Sequence, residues 1–462
     1  MRRASTRRHG MIFVTALGII IVLTSLLLVF AQDMRTELLA SGNRLAAIQA
    51  DAAERGAEQW ALAQIDANST DPQTLLETPA YALPVGSGYF WIIRPDTTQN
   101  DALAYGITDE SGKLNLNTAT PAMSLLLPGM TDEAADSIAD WVDGNETARS
   151  NGAESSYYNS LSEPYGSKNS AMESPEELLL VKGITPELLY GYDTNHDGII
   201  DGNESSIGGL ASAFNAAGDN GCGIAPYVTV FSHVPTVTAV TGAVNVAQTS
   251  RTQLVTQTAN LLTKNKIASS RVTLISNNLL RTMNLIQRQP GAPYFTSLGA
   301  YYLATTMTAD EFATVFDQLT ISGTRTIVPI NINTAPSQAI ATLPGLEAGD
   351  VTTLLSARES TGTSTSVSWA IKALTPAKGA PIVDYLTTQS STYSADIVAV
   401  SPNGRAFKRV RIVIDARQTP SKIVYRKDLT SLGWPLDEQI RTNLRAGQTL
   451  SAGTSTMQTG LN

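Results

Sequence analysis

The chain has 462 residues, long enough for two or three domains, and its 41 acidic and 32 basic residues give a net charge of −9. This balance excludes the overall basic character that is typical of nucleic-acid-binding proteins. Cys222 is the single cysteine, which excludes an intramolecular disulfide.

An uncharged apolar run near the N-terminus is the first predicted element. Residues 11–30 reach the ~20 residues that a helix needs to cross a bilayer. The four arginines before Gly10 favour a cytoplasmic N-terminus. Residues 32–67 continue the helix without proline, in an amphipathic pattern whose apolar positions are Leu38, Leu45, Ile48, Ala52, Trp60 and Ile65. The run fits a secretory signal, an uncut signal anchor, or a leader that is cut at Gly10.

Two groups of β-rich segments, far apart in the sequence, are predicted to share one sheet. Residues 89–94 and 102–108 are predicted to form a hairpin. Residues 392–400, 407–415 and 423–426 alternate apolar with polar or basic residues, which indicates an antiparallel meander with one solvent-facing side. The sequence after residue 430 is predicted to be a loose tail.

A repeated motif lies between these groups. Residues 114–141 match residues 330–358 through Asn-(Leu/Ile)-Asn-Thr-Ala and a later Leu-Pro-Gly, and residues 179–186 repeat the turn in part. Each copy predicts two helices joined by a Pro-Gly turn, and Thr118 or Thr334 is expected to cap the first helix. Such helix–hairpin–helix pairs can bind DNA, but acids follow these turns where phosphate contacts need lysine or arginine. We therefore expect a packing role.

The sharpest chemical signal is the segment 193–204, which matches the calcium-loop pattern D-x-[DN]-x-[DN]-G-x5-E at every defined position. Side-chain oxygens at alternating positions can point at one centre, and glycine allows the sharp turn. The alternative is a solvated acidic turn. Because the flanking helical signals are weak, we predict one structural calcium loop. Its predicted ligands are Asp193, Asn195, Asp197, the backbone carbonyl of Ile199, Asp201 and Glu204.

The N-terminal pattern of a basic leader, a glycine, an apolar half-helix and an amphipathic half-helix resembles the type IV pilin and type II secretion pseudopilin class. In that class a prepilin peptidase cuts after the glycine, which implies Met11 as the mature N-terminus. Most members carry a glutamate as the fifth residue after the cut, whereas this chain has Thr15. The K-type minor pseudopilin typically lacks that glutamate, although Thr15 also suits an ordinary membrane helix.

Further motifs resemble the inserted α-domain of the K-type pseudopilin (GspK). In order, they are DESGKLNLNTA at 109–119, LPG at 127–129, NGAE with a following YY at 151–158, and ESPEELLLVKGIT at 173–185. The resemblance covers residues 1–190. Through NTAP at 333–336 and the C-terminal strands it extends to about residue 430.

The resemblance implies an α+β fold, in which a pilin-like long N-terminal helix packs on an antiparallel sheet that carries a large inserted α-helical domain. The expected segments are a leader (1–10), a transmembrane half-helix (11–31), an amphipathic half-helix (32–67), first strands (68–110), the inserted domain (111–330, with 205–330 unassigned), a second helix–hairpin–helix repeat (331–390), C-terminal strands (391–430) and a tail (431–462).

The resemblance also implies calcium in the inserted domain. Acids between the two helical motifs are candidates for a second ion, although their spacing fits no defined pattern and solvated loop acids are the alternative. These candidates are Asp140, Asp143, Asn145, Glu146 and Glu154.

The implied function is that of a minor pseudopilin at the tip of a type II secretion pseudopilus, taking part in its assembly and in protein export. The implied partners are the I- and J-type minor pseudopilins, with the helix in the inner membrane and the C-terminal domain in the periplasm. No P-loop, Gly-x-Ser-x-Gly or His-Glu-x-x-His motif occurs, so we expect no enzyme, and no nucleic acid is expected as a partner. The alternatives are a membrane-anchored DNA-uptake protein and a secreted calcium-binding adhesin cut after Ala31.

Overall fold

The computed structural model describes residues 7–68, 72–96, 102–200, 204, 221–234, 242–321, 327–362 and 364–451. The strands are β1 (Leu83–Val85), β2 (Gly88–Pro95), β3 (Leu103–Tyr105), β4 (Thr108–Asp109), β5 (Leu114–Asn115), β6 (Val228–Thr229), β7 (Val244–Asn245), β8 (Leu319–Thr320), β9 (Ile330–Asn331), β10 (Leu386–Thr387), β11 (Thr392–Val400), β12 (Phe407–Asp415) and β13 (Lys422–Asp428).

The α-helices are α1 (Arg7–Ala67), α2 (Pro72–Glu77), α3 (Pro121–Ser124), α4 (Asp132–Val142), α5 (Ser155–Tyr158), α6 (Pro186–Tyr190), α7 (Arg251–Lys264), α8 (Ser269–Leu285), α9 (Leu298–Thr305), α10 (Ala309–Val315), α11 (Ser337–Ala341), α12 (Ala348–Thr361), α13 (Ser368–Ala373), α14 (Pro376–Ile382) and α15 (Glu438–Arg445). Short 3-10 helices occupy Glu110–Gly112, Pro175–Leu180, Ala225–Tyr227, Phe316–Gln318, Val383–Tyr385 and Thr430–Leu432.

The second half of α1 packs on the sheet along a row of small side chains. Ala46, Ala50, Ala53, Ala57 and Ala61 recur every three or four residues, and each is at most 2% exposed. The last three share one core with aliphatic residues of β2, β11 and β12. Because alanine adds only a methyl group, the helix backbone can approach the sheet closely.

Of the bulky residues predicted for the apolar face of α1, Ile65 is buried in this core and Trp60 packs against it, whereas the other three do not make this contact. Leu38, Leu45 and Ile48 are 70%, 57% and 66% exposed. The helix was predicted correctly but its buried face only in part, because alanine contributes little to an apolar pattern that leucine and isoleucine dominate.

The antiparallel sheet has the strand order β1-β2-β11-β12-β13, with β3 paired to β2 and β4 paired to β11. The predicted hairpin is confirmed, since Ile93 on β2 is opposite Tyr105 on β3. Ile397 on β11 is opposite Ile92 on β2, so strands from both ends of the chain complete one sheet, as predicted.

The predicted solvent-facing side of the meander is wrong for β11, in which every residue is buried. Ala395 and Ile397 face the core under α1. Val398 and Val400 belong to a second core on the opposite side. Exposure alternates only along the edge strand β13, where the prediction holds.

A C-terminal segment covers part of that opposite side, so the expectation of a loose tail is wrong for residues 431–451. Leu436 and Leu444, before and within α15, are 8% and 2% exposed. The ring of Trp434 lies 6.0 Å from that of Trp91 in an edge-to-face arrangement, and Arg441 lies over Trp434. This segment replaces solvent on the sheet with aromatic contacts.

The helical region between β4 and β11 contains three units with one common frame, at residues 114–229, 244–320 and 330–387. Each unit starts and ends on a two-residue strand, and these strands pair in parallel: β5 with β6, β7 with β8, and β9 with β10. In each first strand an asparagine Oδ1 accepts a hydrogen bond from the backbone N–H two residues later. For Asn115, Asn245 and Asn331 these distances are 2.9, 3.0 and 3.1 Å.

The middle unit lies in the segment 205–330 that the sequence left unassigned. In its α7–α8 turn Lys266 has a φ of 61°, at the position where the outer units have Gly129 at 68° and Gly345 at 79°. Glycine is the usual residue at positive φ. Since the middle turn contains no Leu-Pro-Gly, the motif that reveals the outer units is missing from it.

The three units contribute to one apolar core that runs from Leu114 to Leu386, so the boundary expected at 330/331 is not a break in packing. The expected caps are wrong: Thr120 is the N-cap of α3, and Pro336 precedes α11. Thr334 instead donates to Asp109 Oδ2 at 2.7 Å, and Thr118 Oγ1 accepts from the N–H of Val328 at 3.0 Å. These threonines therefore join the third and the first unit to segments that lie just outside the units.

Candidate metal centres

The 193–204 loop follows α6, and four of its predicted ligands are buried. Asp193, Asn195, Asp197 and Glu204 are each at most 9% exposed. Ile199 is partly buried. The remaining predicted ligand, Asp201, lies outside the described residues.

Backbone N–H groups of the loop donate to these side chains. Asp193 accepts from the N–H groups of Asp197 and Gly198 at 3.1 and 2.7 Å, and Asn195 Oδ1 accepts from Asp197 at 2.9 Å. Gly198 has a φ of 87°, and a Cβ there would lie 2.3 Å from Cγ of Pro95 on β2. Both the turn and its contact with the sheet therefore require glycine.

Glu204 connects the two ends of the loop. Its Oε1 accepts from the Thr194 N–H at 2.8 Å, from the Thr194 hydroxyl at 2.9 Å and from the Asn195 N–H at 3.1 Å. The final residue of the calcium pattern is therefore held against residues near its start, as a closed loop requires.

Electrostatic repulsion between the buried acids favours a cation or protons. Burial and then the charge of Asp197 raise the pKa of Asp193 to about 7, and Glu204 adds to this. Burial raises the pKa of Asp197 to about 6. Oδ2 of Asp197 is buried and has no hydrogen-bond partner among the described residues. This set of hard oxygen donors fits calcium chemistry.

A second acidic cluster combines three of the five further candidates. Carboxylate oxygens of Asp140, Asp143 and Glu154 lie within 4.8 Å of one another. Glu154 is 1% exposed, and neither of its carboxylate oxygens has a hydrogen-bond partner in the described part of the chain. Burial, followed by the charges of Asp140, Asp143 and Glu146, raises the pKa of Glu154 to about 7.

Arg149 offsets part of this negative charge. Its Nη1 donates to Asp140 and, at 2.8 Å, to Oδ2 of Asp143, while its backbone N–H donates to Asp140 Oδ2 at 3.0 Å. The cluster thus has three carboxylates and one guanidinium. Calcium there would be held by Asp140, Asp143 and Glu154, with Arg149 as a competing cation.

The other two candidates stand beside this cluster. Asn145 is exposed and donates to Asp143 Oδ1 through its side chain and its backbone N–H. Glu146 accepts from the Ser155 hydroxyl at 3.0 Å and from Asn169 Nδ2 at 2.7 Å. Both residues order the loop around the three carboxylates.

Two arginines that the sequence analysis did not single out contact the 193–204 loop. Arg409 on β12 is 0% exposed and donates to the carbonyl oxygens of Asn195 at 2.5 Å and His196 at 3.2 Å. Arg411 donates to the same His196 oxygen at 2.5 Å. Their signal in the sequence is the alternation of basic and apolar residues in 407–415, which predicts a solvent-facing side and not a buried contact.

In the N-terminal helix, residues 11–67 include a window apolar enough to cross a membrane, and none of that window is buried. Met11 is 72% exposed. Thr15 Oγ1 donates within the helix, with the Met11 and Ile12 carbonyl oxygens 3.0 and 2.9 Å away. Its hydroxyl is thus satisfied by the helix backbone. Gly10 belongs to α1.

Comparison with known families locates one domain. Residues 112–192 match the family model described as Type II secretion system (T2SS), protein K. These residues are similar to a protein K domain. The resemblance to the K-type pseudopilins is thereby confirmed for this segment, which contains the Asp140 cluster, and the 193–204 loop begins directly after it.

Two relatives extend the comparison. A putative type II secretion system protein K of Escherichia coli K12 is 42% identical over 60 residues, which are 13% of this chain and 18% of the relative. The GspK-GspI-GspJ complex from the enterotoxigenic Escherichia coli Type 2 Secretion System contains a chain that matches with a TM-score of 0.34 and 12% identity, covering 86% of this chain and 99% of that one. The first match covers less than a fifth of the relative's length.

The raised pKa of Asp193 predicts a pH dependence in the presence of a chelator. Because its folded pKa of about 7 lies above its ordinary 3.8, its contribution to stability is full below pH 4 and is lost as the pH rises through 7. In chelator at pH 8, the unfolding free energy of Asp193→Asn should therefore exceed that of wild type by roughly 1 kcal/mol or more. At pH 4 the two proteins should have nearly equal stability. Denaturant unfolding in chelator, followed by circular dichroism at pH 4 and pH 8, measures this difference. Exposed Glu163→Gln is the control, and equal curves for wild type and Asp193→Asn would contradict the assignment.

Proposed function

We propose that the protein is a K-type minor pseudopilin that takes part in assembly of the type II secretion pseudopilus and in protein export. The observation that carries the proposal is a segment that matches the protein K family model and lies between β4 and β11 of an antiparallel sheet on which a long helix packs. Its role is assembly through surfaces and not catalysis. The helix anchors the protein in the inner membrane with its N-terminus in the cytoplasm and its C-terminal part in the periplasm.

The proposed position is the tip of the pseudopilus. Two features support it. The helical units between β4 and β11 add bulk beside the helix–sheet part, which hinders the stacking of another subunit above it. Thr15 satisfies its own hydroxyl and carries no charge, so the helix has no membrane carboxylate that needs the N-terminal amine of a neighbour.

The proposed partners are the I- and J-type minor pseudopilins, which contact the second half of α1. Leu38 and Leu45, one heptad apart, and Ile48 are exposed beyond the apolar run, on a helix whose opposite face is occupied by the alanine row. Exposed aliphatic residues at this spacing suit a helix–helix seam.

DNA binding is disfavoured by the hairpins themselves. Backbone N–H groups at the start of α4 and α12, which would face a phosphate, already have acceptors within their own turns, and the nearby Lys182 is paired with an acid. Thr131 Oγ1 accepts from the Ala134 N–H at 3.2 Å, Asp350 accepts from the Glu347 N–H at 2.9 Å, and Lys182 pairs with Glu133 at 2.9 Å. Added negative charge would be repelled there.

Calcium is the proposed cofactor, held by the 193–204 loop and, at a second site, by Asp140, Asp143 and Glu154. The support is the buried carboxylates with raised pKa values and the unpaired oxygens of Asp197 and Glu154 among the described residues. Bound calcium would supply positive charge and crosslink loop segments, which Cys222 as a single cysteine cannot do.

Processing at Gly10 is tested by the intact mass and N-terminal sequence of the protein from host membranes. We expect a chain that starts at Met11, with an N-methyl group on its amine. A start at Gln32 would identify a secreted protein, and an uncut chain would identify a signal anchor. Gly10→Val, which blocks the proposed cut, should leave the leader attached.

The helix–helix seam is tested by Leu38→Asp combined with Leu45→Asp and Ile48→Asp. Because these side chains are exposed, we expect the melting temperature to change little. Co-purification with the I- and J-type partners should fall at least about tenfold, the equivalent of ~1.4 kcal/mol. Asn43→Asp on the same helix is the charge control. Undiminished co-purification would refute this face as the contact.

The calcium staple is tested by Asp193→Ala combined with Glu204→Ala. We expect calcium to raise the melting temperature of wild type by several degrees over chelator, and the double variant to lose most of this gain. The matched pair Asp132→Ala with Glu163→Ala, both exposed acids, should keep it. Equal melting of wild type in calcium and in chelator would remove the hypothesis.

A further inference from the structure

The 193–204 loop lies where the helical region meets the sheet. On one side Gly198 packs against Pro95 at the end of β2. On the other side Arg409 and Arg411 of β12 reach the carbonyl oxygens of Asn195 and His196. A segment proposed to hold calcium is therefore also a direct contact between the two parts of the molecule.

The two arginines share a single acidic partner. Asp396 on β11 accepts from Arg409 Nε and Nη2 at 2.9 and 2.8 Å, and from Arg411 Nη2 at 2.7 Å. Two guanidinium groups against one carboxylate leave one positive charge, and Arg409 is fully buried. The loop carbonyl oxygens accept from Nη1 and Nη2 of Arg409 and from Nη2 of Arg411, which offsets the cost of burying the Arg409 charge.

Neighbouring atoms of the loop contribute to the proposed calcium site and to the contact with the arginines. The side-chain oxygen of Asn195 accepts from the Asp197 N–H within the loop, while its backbone carbonyl accepts from Arg409. His196 has a positive φ of 57°, and its ring stacks on Tyr190 at 3.7 Å between centroids. A non-glycine residue at positive φ needs surrounding contacts to hold it. The arginines therefore help to maintain the loop conformation in which the predicted calcium ligands converge.

We propose that Arg409 and Arg411 act as positioning residues that make the 193–204 loop a calcium-dependent joint between the helical region and the sheet. The inference rests on calcium binding by this loop, as proposed above, and adds that the ion orients the bulky helical units on the pilin-like part. By linkage, arginines that favour the calcium-binding conformation are themselves held more firmly when calcium is bound.

The test measures hydrogen exchange of the full-length protein in nanodiscs, with calcium ions and with chelator. Arg409→Lys and Arg411→Lys keep the positive charge but lose the planar fork that joins Asp396 to the loop carbonyls. Arg426→Lys is the matched control, because Arg426 lies on the adjacent β13 and pairs with Glu54 and Glu58 of α1 at 2.9 and 2.8 Å.

In wild type and in Arg426→Lys, we expect calcium to slow exchange both in the loop and in β12. In Arg409→Lys and Arg411→Lys the loop should still respond, the β12 response should fall, and the calcium affinity should weaken at least about fivefold. Arg411 is less buried than Arg409, so Arg411→Lys should disturb folding less. The test can therefore be made with Arg411→Lys alone if Arg409→Lys does not fold.

Two results overturn the joint alone: a calcium response in the loop without one in wild-type β12, or a β12 response that the lysine variants preserve. A loop that shows no response to calcium in wild type would overturn the calcium assignment, and the joint with it. The two failures are therefore distinguishable.

Discussion

The burial of β11 on both sides is the constraint on which the other contacts depend. Helix α1 covers one side with its alanine row, and the C-terminal segment and the helical region cover the other. Polar groups that β11 places on the covered side then need partners from the protein. Ser394 donates to Glu110 at 2.6 Å, and Asp396 pairs with two arginines. Without these partners the buried charge would cost several kcal/mol.

Two adjacent acids at the start of the helical region extend this constraint to its outer units. Asp109 Oδ2 accepts from Asn331, Thr334 and Ser390 at 2.5–2.8 Å. Glu110 accepts from Ser394 on the sheet, from Lys113 and, at 2.5 Å, from Thr229 at the end of the first unit. The beginning of the first unit, its end and the start of the third are thereby connected at one point beside β11.

The sequence was sufficient wherever a local pattern carries the structure. Uninterrupted helical periodicity predicted α1, alternation predicted β11 and β12, and the calcium pattern predicted a loop whose described acids are buried together. It failed where contacts between distant segments decide. Nothing local distinguishes Arg409, which is buried against the loop, from Lys408 beside it, which pairs with Asp428 near the surface.

The same limit explains the other errors. The alanine row was overlooked because its importance comes from the sheet beneath it and not from the hydrophobicity of alanine. The middle unit was overlooked because Lys266 occupies a turn position that glycine marks in the other two. The covered side of β11 was predicted to face solvent because it carries the polar residues Ser394 and Asp396. Their partners, the distant Glu110 and Arg409 on the neighbouring strand, are visible only in the folded chain.

The paired terminal strands of each helical unit have a consequence for how this architecture can change. Because the first and last strands are hydrogen-bonded neighbours, the chain enters and leaves each unit at points only about 5 Å apart. Each helical excursion therefore returns the chain close to where it left, and the path from β4 to β11 is almost independent of how long the excursion is. The helices within a unit can lengthen or shorten without displacing the sheet, as long as the core that the three units share stays packed.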